Sequence, residues 1–198
     1  MNLANKLTFL RLFLAPVFFV VYLLPRFVPS LFAGGVGWTV PALWLIFIIS
    51  EVTDLLDGIA ARRNNEVSDV GKLFDPFADT IMQITCFLCF VLDGIFPPFL
   101  FLLVIYREFG ILFIRNLMLK KGTAMGARLC GKIKTFSYII AAGVALLAVS
   151  LQRLSIYDFL LPYFKTGALV IFTISVAISI ASFIDYLVIY LKTEQKTP

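Results

Sequence analysis

Six long apolar segments dominate this chain of 198 residues, and their length limits what it can fold into. A helix needs about 20 apolar residues to cross a bilayer, and each segment is near or above that length. The chain is 61% hydrophobic, far more than a soluble domain, and it lacks the alternating pattern of barrel strands. We therefore predict an all-α, polytopic bundle of six transmembrane helices, forming one membrane domain over residues 1–198. The segments cover roughly residues 8–24, 39–63, 70–92, 98–118, 130–150 and 166–190.

Four aspartates at helical spacings interrupt the apolar pattern between residues 54 and 79: Asp54, Asp57, Asp75 and Asp79. Asp54 and Asp57 are three residues apart, and Asp75 and Asp79 are four apart, so on helices each pair shares a face. Charges at membrane depth are costly and usually functional. Two hard cations such as Mg²⁺, Mn²⁺ or Ca²⁺ would neutralise four carboxylates. Small residues on the same faces leave room for a phosphate-bearing ligand: Gly58, Ala61 and Gly71.

This stretch resembles the signature of the CDP-alcohol phosphotransferases, D-x2-D-G-x2-A-R-x8-G-x3-D-x3-D, with all eight fixed positions filled. The resemblance implies a CDP-alcohol phosphotransferase-like fold, a homodimer, and two Mg²⁺ or Mn²⁺ ions held by Asp54, Asp57 and Asp75. It implies that Asp79 is a further metal ligand and the general base. The residues implied to bind the CDP part of the donor are Asp54, Gly58, Ala61, Arg62 and Gly71.

Three further stretches resemble one branch of this family, the bacterial phosphatidylglycerophosphate synthases. They are an N-terminal pattern with Arg11, the run 107–109, and the run 131–135. The resemblance implies transfer of a phosphatidyl group from CDP-diacylglycerol to sn-glycerol 3-phosphate, with release of CMP. Cations near a metal site suit an acceptor that carries its own phosphate. The cations predicted to bind that phosphate are Arg107, Arg115, Arg128, Lys132 and Lys134.

Some of these basic residues, and Arg11, also have a simpler interpretation. Arg107 and the neighbouring Glu108 could satisfy one another inside the bundle, and one of Lys132 and Lys134 could anchor to lipid headgroups. Arg11 fits either a snorkelling anchor or a role in the pocket. The chain has no histidine, so a general base must be a carboxylate or a lysine.

The basic residues also predict an orientation in the membrane. With both termini cytoplasmic, thirteen Lys and Arg residues lie in inner segments, against Arg26, Arg153 and Lys165 outside. The motif of residues 54–79 would then face the cytoplasm from the inner membrane, where a net charge of +5 favours anionic lipids and substrates. The cations form no separate basic domain, so we predict no nucleic-acid partner.

One departure from the branch pattern leaves the acceptor open. The fourth aspartate is usually followed by lysine in that branch, whereas Thr80 stands here. Inositol phosphate, or phosphatidylglycerol giving cardiolipin, are therefore alternative acceptors for the same chemistry. A divalent-metal transporter and a purely structural bundle are alternatives of other classes, although the helices become apolar away from the aspartates. The pair Cys86 and Cys89 lies in an apolar run and is predicted to pack in the core.

Overall fold

The computed structural model describes residues 3–32, 35–64, 69–120 and 129–194, and in these ranges the chain is helical with no strand. The predicted all-α class and its six long helices are confirmed. The helices are α1 (Leu3–Phe27), α2 (Thr39–Asn64), α3 (Asp69–Leu92), α4 (Pro98–Lys120), α5 (Leu129–Leu154) and α6 (Leu161–Glu194), with 3₁₀ turns at Pro29–Phe32 and Asp158–Leu160.

The helix ends follow local chemistry. Backbone N–H groups of Thr39 and Val40 bond to carbonyls of the preceding turn, which begins α2. Proline suits the first helical position because its missing N–H would have no partner there, and Pro98 begins α4. Gly94 follows the end of α3 with a φ of 70°, a left-handed conformation that glycine adopts without steric cost.

Four helical segments are long and apolar enough to cross a membrane, judged on the described residues by length and composition. They are Lys6–Phe27, Phe74–Leu92, Ile133–Leu154 and Asp158–Lys192. The protein is accordingly a membrane protein, and spanning by α2 and α4 stays a prediction. An exposed apolar face on α4, which includes Phe99, Tyr106 and Phe113, is compatible with contact to lipid.

The chain divides into two compact units. The first contains α1, α2, α3 and the end of α5 from Val149, and the second contains α4, the rest of α5 and α6. Whether they form one membrane domain stays a prediction.

In the first unit, α1 packs against both α2 and α3. Its fully buried side chains include Phe18 of α1, Leu43 of α2 and Phe87 of α3. The end of α5 is fastened to this unit by Arg153, which donates to Thr39 Oγ1 and to the Tyr22 carbonyl, both at 2.7 Å. The predicted core position of the two cysteines is confirmed, since Cys86 and Cys89 are buried.

In the second unit, α4 packs against α6. The rings of Phe96 and Phe172 stack with their centroids 3.9 Å apart, and both side chains are buried. Gly110 marks a close approach of the two helices, because a Cβ built there would lie 2.8 Å from Cε2 of Phe183.

Candidate metal and phosphate sites

Three of the four predicted aspartates meet in the first unit. Asp54 comes from α2, and Asp75 and Asp79 come from successive turns of α3. Each offers a carboxylate oxygen, and these oxygens all lie within 4.8 Å of one another. The side chains are about two-fifths exposed, so they remain accessible. The packing of α1 against both helices positions the cluster, which we call the aspartate triad.

Arg11 of α1 lies in the middle of the aspartate triad. Its Nη1 donates to Asp54 Oδ1 at 2.8 Å and also to Asp79, and its Nη2 donates to Asp75. The side chain is only 1% exposed, so its charge is removed from water and depends on these carboxylates. A side chain buried among three carboxylates is not a snorkelling anchor, and the structure places Arg11 at the predicted metal site. A role of Arg11 in binding substrate stays a prediction.

The residues of the triad fit a hard divalent cation. Their donor atoms are carboxylate oxygens, which Mg²⁺ and Mn²⁺ prefer, and they converge closely enough to share an ion. The guanidinium of Arg11 already bonds to all three side chains, which shows that this arrangement attracts positive charge. Three carboxylates and one guanidinium leave a formal charge of −2, which one divalent ion would neutralise.

The fourth predicted metal ligand and the rest of the predicted donor pocket lie outside the described side chains. The affected residues are Asp57, Gly58, Ala61, Arg62 and Gly71. The backbone of residues 57–62 belongs to α2, in agreement with the helical spacing used to place Asp57 near Asp54. Their contacts with metal or nucleotide stay predictions.

Glu51 of α2 was missed by the sequence reasoning. It precedes Asp54 by one helical turn, and it interacts electrostatically with both Asp54 and Arg11. The sequence does contain a signal for Glu51, because burying an acidic residue inside the apolar run 40–52 costs as much as burying the aspartates. Glu51 is not a fixed position of the signature, so the resemblance does not point to it.

In the second unit, Glu108 of α4 holds two of the predicted phosphate-binding cations. Arg107 donates through Nη1 to both carboxylate oxygens of Glu108, at 2.9 and 3.0 Å, and Lys134 Nζ donates to Oε1 at 2.8 Å. All three side chains are buried. Arg107 also donates to the Ser179 carbonyl at 3.2 Å and to Ser182 Oγ at 3.3 Å on α6. The interpretation that Arg107 and Glu108 satisfy one another is confirmed.

Of the other three predicted phosphate ligands, the structure describes the side chain of Arg115 only. Arg115 contacts Tyr186 of α6, with Nη2 3.5 Å from the hydroxyl and the guanidinium carbon 5.6 Å from the ring centroid. The side chains of Arg128 and Lys132 lie outside the described residues. Binding of an acceptor phosphate by any of the five stays a prediction.

Comparison with known proteins agrees with the signature. A family model described as CDP-alcohol phosphatidyltransferase matches residues 1–181. A CDP-diacylglycerol–glycerol-3-phosphate 3-phosphatidyltransferase of Treponema pallidum is 41% identical over 191 residues, which cover 94% of this chain and 88% of the relative. One of the same name from Bacillus subtilis is 34% identical, covering 74% of this chain and 77% of the relative. A CMP-forming cardiolipin synthase of Streptomyces coelicolor is 30% identical, covering 75% and 66%.

Proposed function

Because this chain belongs to the CDP-alcohol phosphatidyltransferase family, we propose that it transfers a phosphatidyl group from CDP-diacylglycerol to sn-glycerol 3-phosphate. The products are phosphatidylglycerophosphate and CMP. The observation that carries the proposal is the aspartate triad, because the signature residues Asp54, Asp75 and Asp79 bring their carboxylate oxygens together from two helices. The names of the Treponema and Bacillus relatives support glycerol 3-phosphate as the acceptor.

The aspartate triad would hold the divalent metal that the family implies. Asp57, three residues after Asp54 on α2, would complete the ligands for a second ion. When bound, Mg²⁺ or Mn²⁺ would supply charge stabilisation for a diphosphate and its leaving phosphate. Asp54 and Asp75 would hold the metal in position. The residues proposed to accommodate the nucleotide are Gly58, Ala61, Arg62 and Gly71.

Asp79 is proposed to accept the proton of the acceptor hydroxyl. The chain has no histidine, and Asp79 is a partly exposed carboxylate that Arg11 holds in place. A general base must come within hydrogen-bond reach of the proton that it abstracts. The freed acceptor oxygen then attacks the lipid-bearing phosphorus in line, and CMP leaves from the opposite side.

The many cations in residues 107–134 support an acceptor that carries its own phosphate. The proposed ligands of that phosphate are among Arg107, Arg115, Arg128, Lys132 and Lys134. The cardiolipin synthase relative favours one alternative, in which phosphatidylglycerol is the acceptor for the same donor. We further propose that the enzyme is a homodimer of the inner membrane and that the aspartate triad faces the cytoplasm.

The acceptor is tested with purified protein in detergent, radiolabelled CDP-diacylglycerol and Mg²⁺. Glycerol 3-phosphate, inositol phosphate, phosphatidylglycerol and serine are supplied one at a time, and CMP and labelled lipid are measured. We expect labelled phosphatidylglycerophosphate and an equal amount of CMP with glycerol 3-phosphate. Product with serine only would refute the assignment, and product with phosphatidylglycerol only would replace it with cardiolipin synthesis. Uptake of Mn²⁺ into proteoliposomes without CMP release would indicate a transporter.

A further inference from the structure

Arg11 is the most deeply buried charge at the aspartate triad, yet it is not part of the aspartate signature. It is 1% exposed, and its two terminal nitrogens donate to Asp54, Asp75 and Asp79 together. A planar guanidinium suits such a task, since its five N–H groups form a fixed fork that can serve several carboxylates at once. One side chain therefore holds together three acids from two helices.

Without a central cation, the three carboxylates would repel one another. Like charges within about 5 Å cost several times more in a partly buried site than in water. Arg11 removes that penalty, and at the same time it competes for the acidic oxygens that a divalent cation needs. Repulsion between a guanidinium and a divalent ion in the same cluster opposes their simultaneous binding.

We propose that Arg11 is a built-in counter-ion of the aspartate triad, which holds the carboxylates in place and gives up contacts with them as a divalent cation binds. The inference rests on the proposed function, because it takes the triad to be the metal site. Its consequence is that Arg11 lowers the affinity for metal while stabilising the fold.

Glu51 is an acidic side chain of the same unit, one helical turn before Asp54 on α2, and it attracts Arg11 electrostatically. Since a buried charge is strongly destabilising when its partner is lost, movement of Arg11 away from the triad requires an acidic group nearby. In the proposal, Glu51 takes over part of the contact with Arg11 when a divalent cation binds.

The test is Mn²⁺ binding to the purified full-length protein in detergent, measured from the loss of the free-ion signal in electron paramagnetic resonance. The variants are Arg11→Gln and Arg11→Lys. Because a like charge is removed, Arg11→Gln should bind Mn²⁺ about tenfold more tightly than the wild type. A lysine keeps the charge but cannot bridge three carboxylates, so Arg11→Lys should fall between the two and serves if Arg11→Gln does not fold.

Two controls separate this effect from its alternatives. Lys6→Gln removes an exposed cation from the same helix and should leave Mn²⁺ affinity unchanged, which excludes a general effect of net charge. Asp75→Asn should abolish the tightest binding. A second readout is thermal unfolding. With a chelator present, Arg11→Gln should unfold at a lower temperature than the wild type. Added Mn²⁺ should raise the unfolding temperature of Arg11→Gln by more than it raises that of the wild type.

Equal or weaker Mn²⁺ binding by both Arg11 variants would overturn the inference, and it would show that the arginine prepares the site for metal or has no part in its affinity. In that case the proposed function survives, provided that Asp75→Asn still loses binding. Absence of Mn²⁺ binding by the wild type would instead overturn both the inference and the metal-dependent function.

Discussion

Substitution of Glu108 by glutamine should destabilise the second unit strongly. The change removes the negative charge shared by Arg107 and Lys134, and the exposed fractions of these three residues are only 5%, 6% and 7%. Removing one partner of a buried ion pair typically costs about 3–5 kcal/mol, because the other charge stays buried without compensation. Glu108→Gln would leave two buried cations, Arg107 and Lys134, without their shared carboxylate.

The surviving contacts place the expected loss at the lower end of this range. Arg107 keeps the Ser179 carbonyl and Ser182 Oγ, and Lys134 keeps the ring of Tyr138, with Nζ 4.9 Å from its centroid. Glutamine also retains one oxygen acceptor. We therefore expect a loss of about 3 kcal/mol in the free energy of unfolding for Glu108→Gln.

The assay is equilibrium unfolding in mixed micelles, with helix content followed by circular dichroism. A double-mutant cycle isolates the interaction: Lys134→Met removes the second cation, and the double variant should be more stable than the sum of the two single changes by about 2 kcal/mol. Asp158→Asn is the control, since the same carboxyl-to-amide change at an exposed position should leave unfolding unaltered. Loss of less than 1 kcal/mol, or strict additivity, would refute the assigned role of Glu108.

Two other changes test the metal site and the helix packing. Asp75→Asn should abolish both the tightest Mn²⁺ binding and CMP release while helix content is retained, because it removes one charge from the aspartate triad; retained activity would contradict a metal role for the triad. Gly110→Ala should cost about 1–3 kcal/mol in the same unfolding assay, since its Cβ would meet the Phe183 ring. Gly143→Ala has no atom within 4 Å of the added Cβ and should not destabilise the protein; equal effects of the two would refute the close approach.

Prediction from the sequence succeeded where the signal was local. The predicted segments 39–63 and 70–92 correspond to α2 (Thr39–Asn64) and α3 (Asp69–Leu92), because long apolar runs favour helices and Gly, Pro and polar residues favour their ends. The last segment was predicted as 166–190, whereas α6 extends over Leu161–Glu194. The added C-terminal residues include Lys192 and Glu194, and hydropathy does not detect such a polar end although the helix continues through it.

The spacing of the acids predicted that Asp75 and Asp79 share a helical face, and the family signature predicted that Asp54 joins them. Both predictions follow from residues within 26 positions of one another, so helical geometry and a short motif were sufficient.

Only the tertiary structure decided the partners of Arg11 and Lys134. Arg11 is 43 positions from Asp54 and 68 from Asp79, and Lys134 is 26 positions from Glu108. No periodicity relates residues so far apart, because such pairs form only when separate helices pack. The sequence by itself determined the helices, the membrane character and the acidic face, since these depend on neighbouring residues. Packing decided which charge neutralises which, because the cost of a buried charge is set by the groups that the fold brings around it.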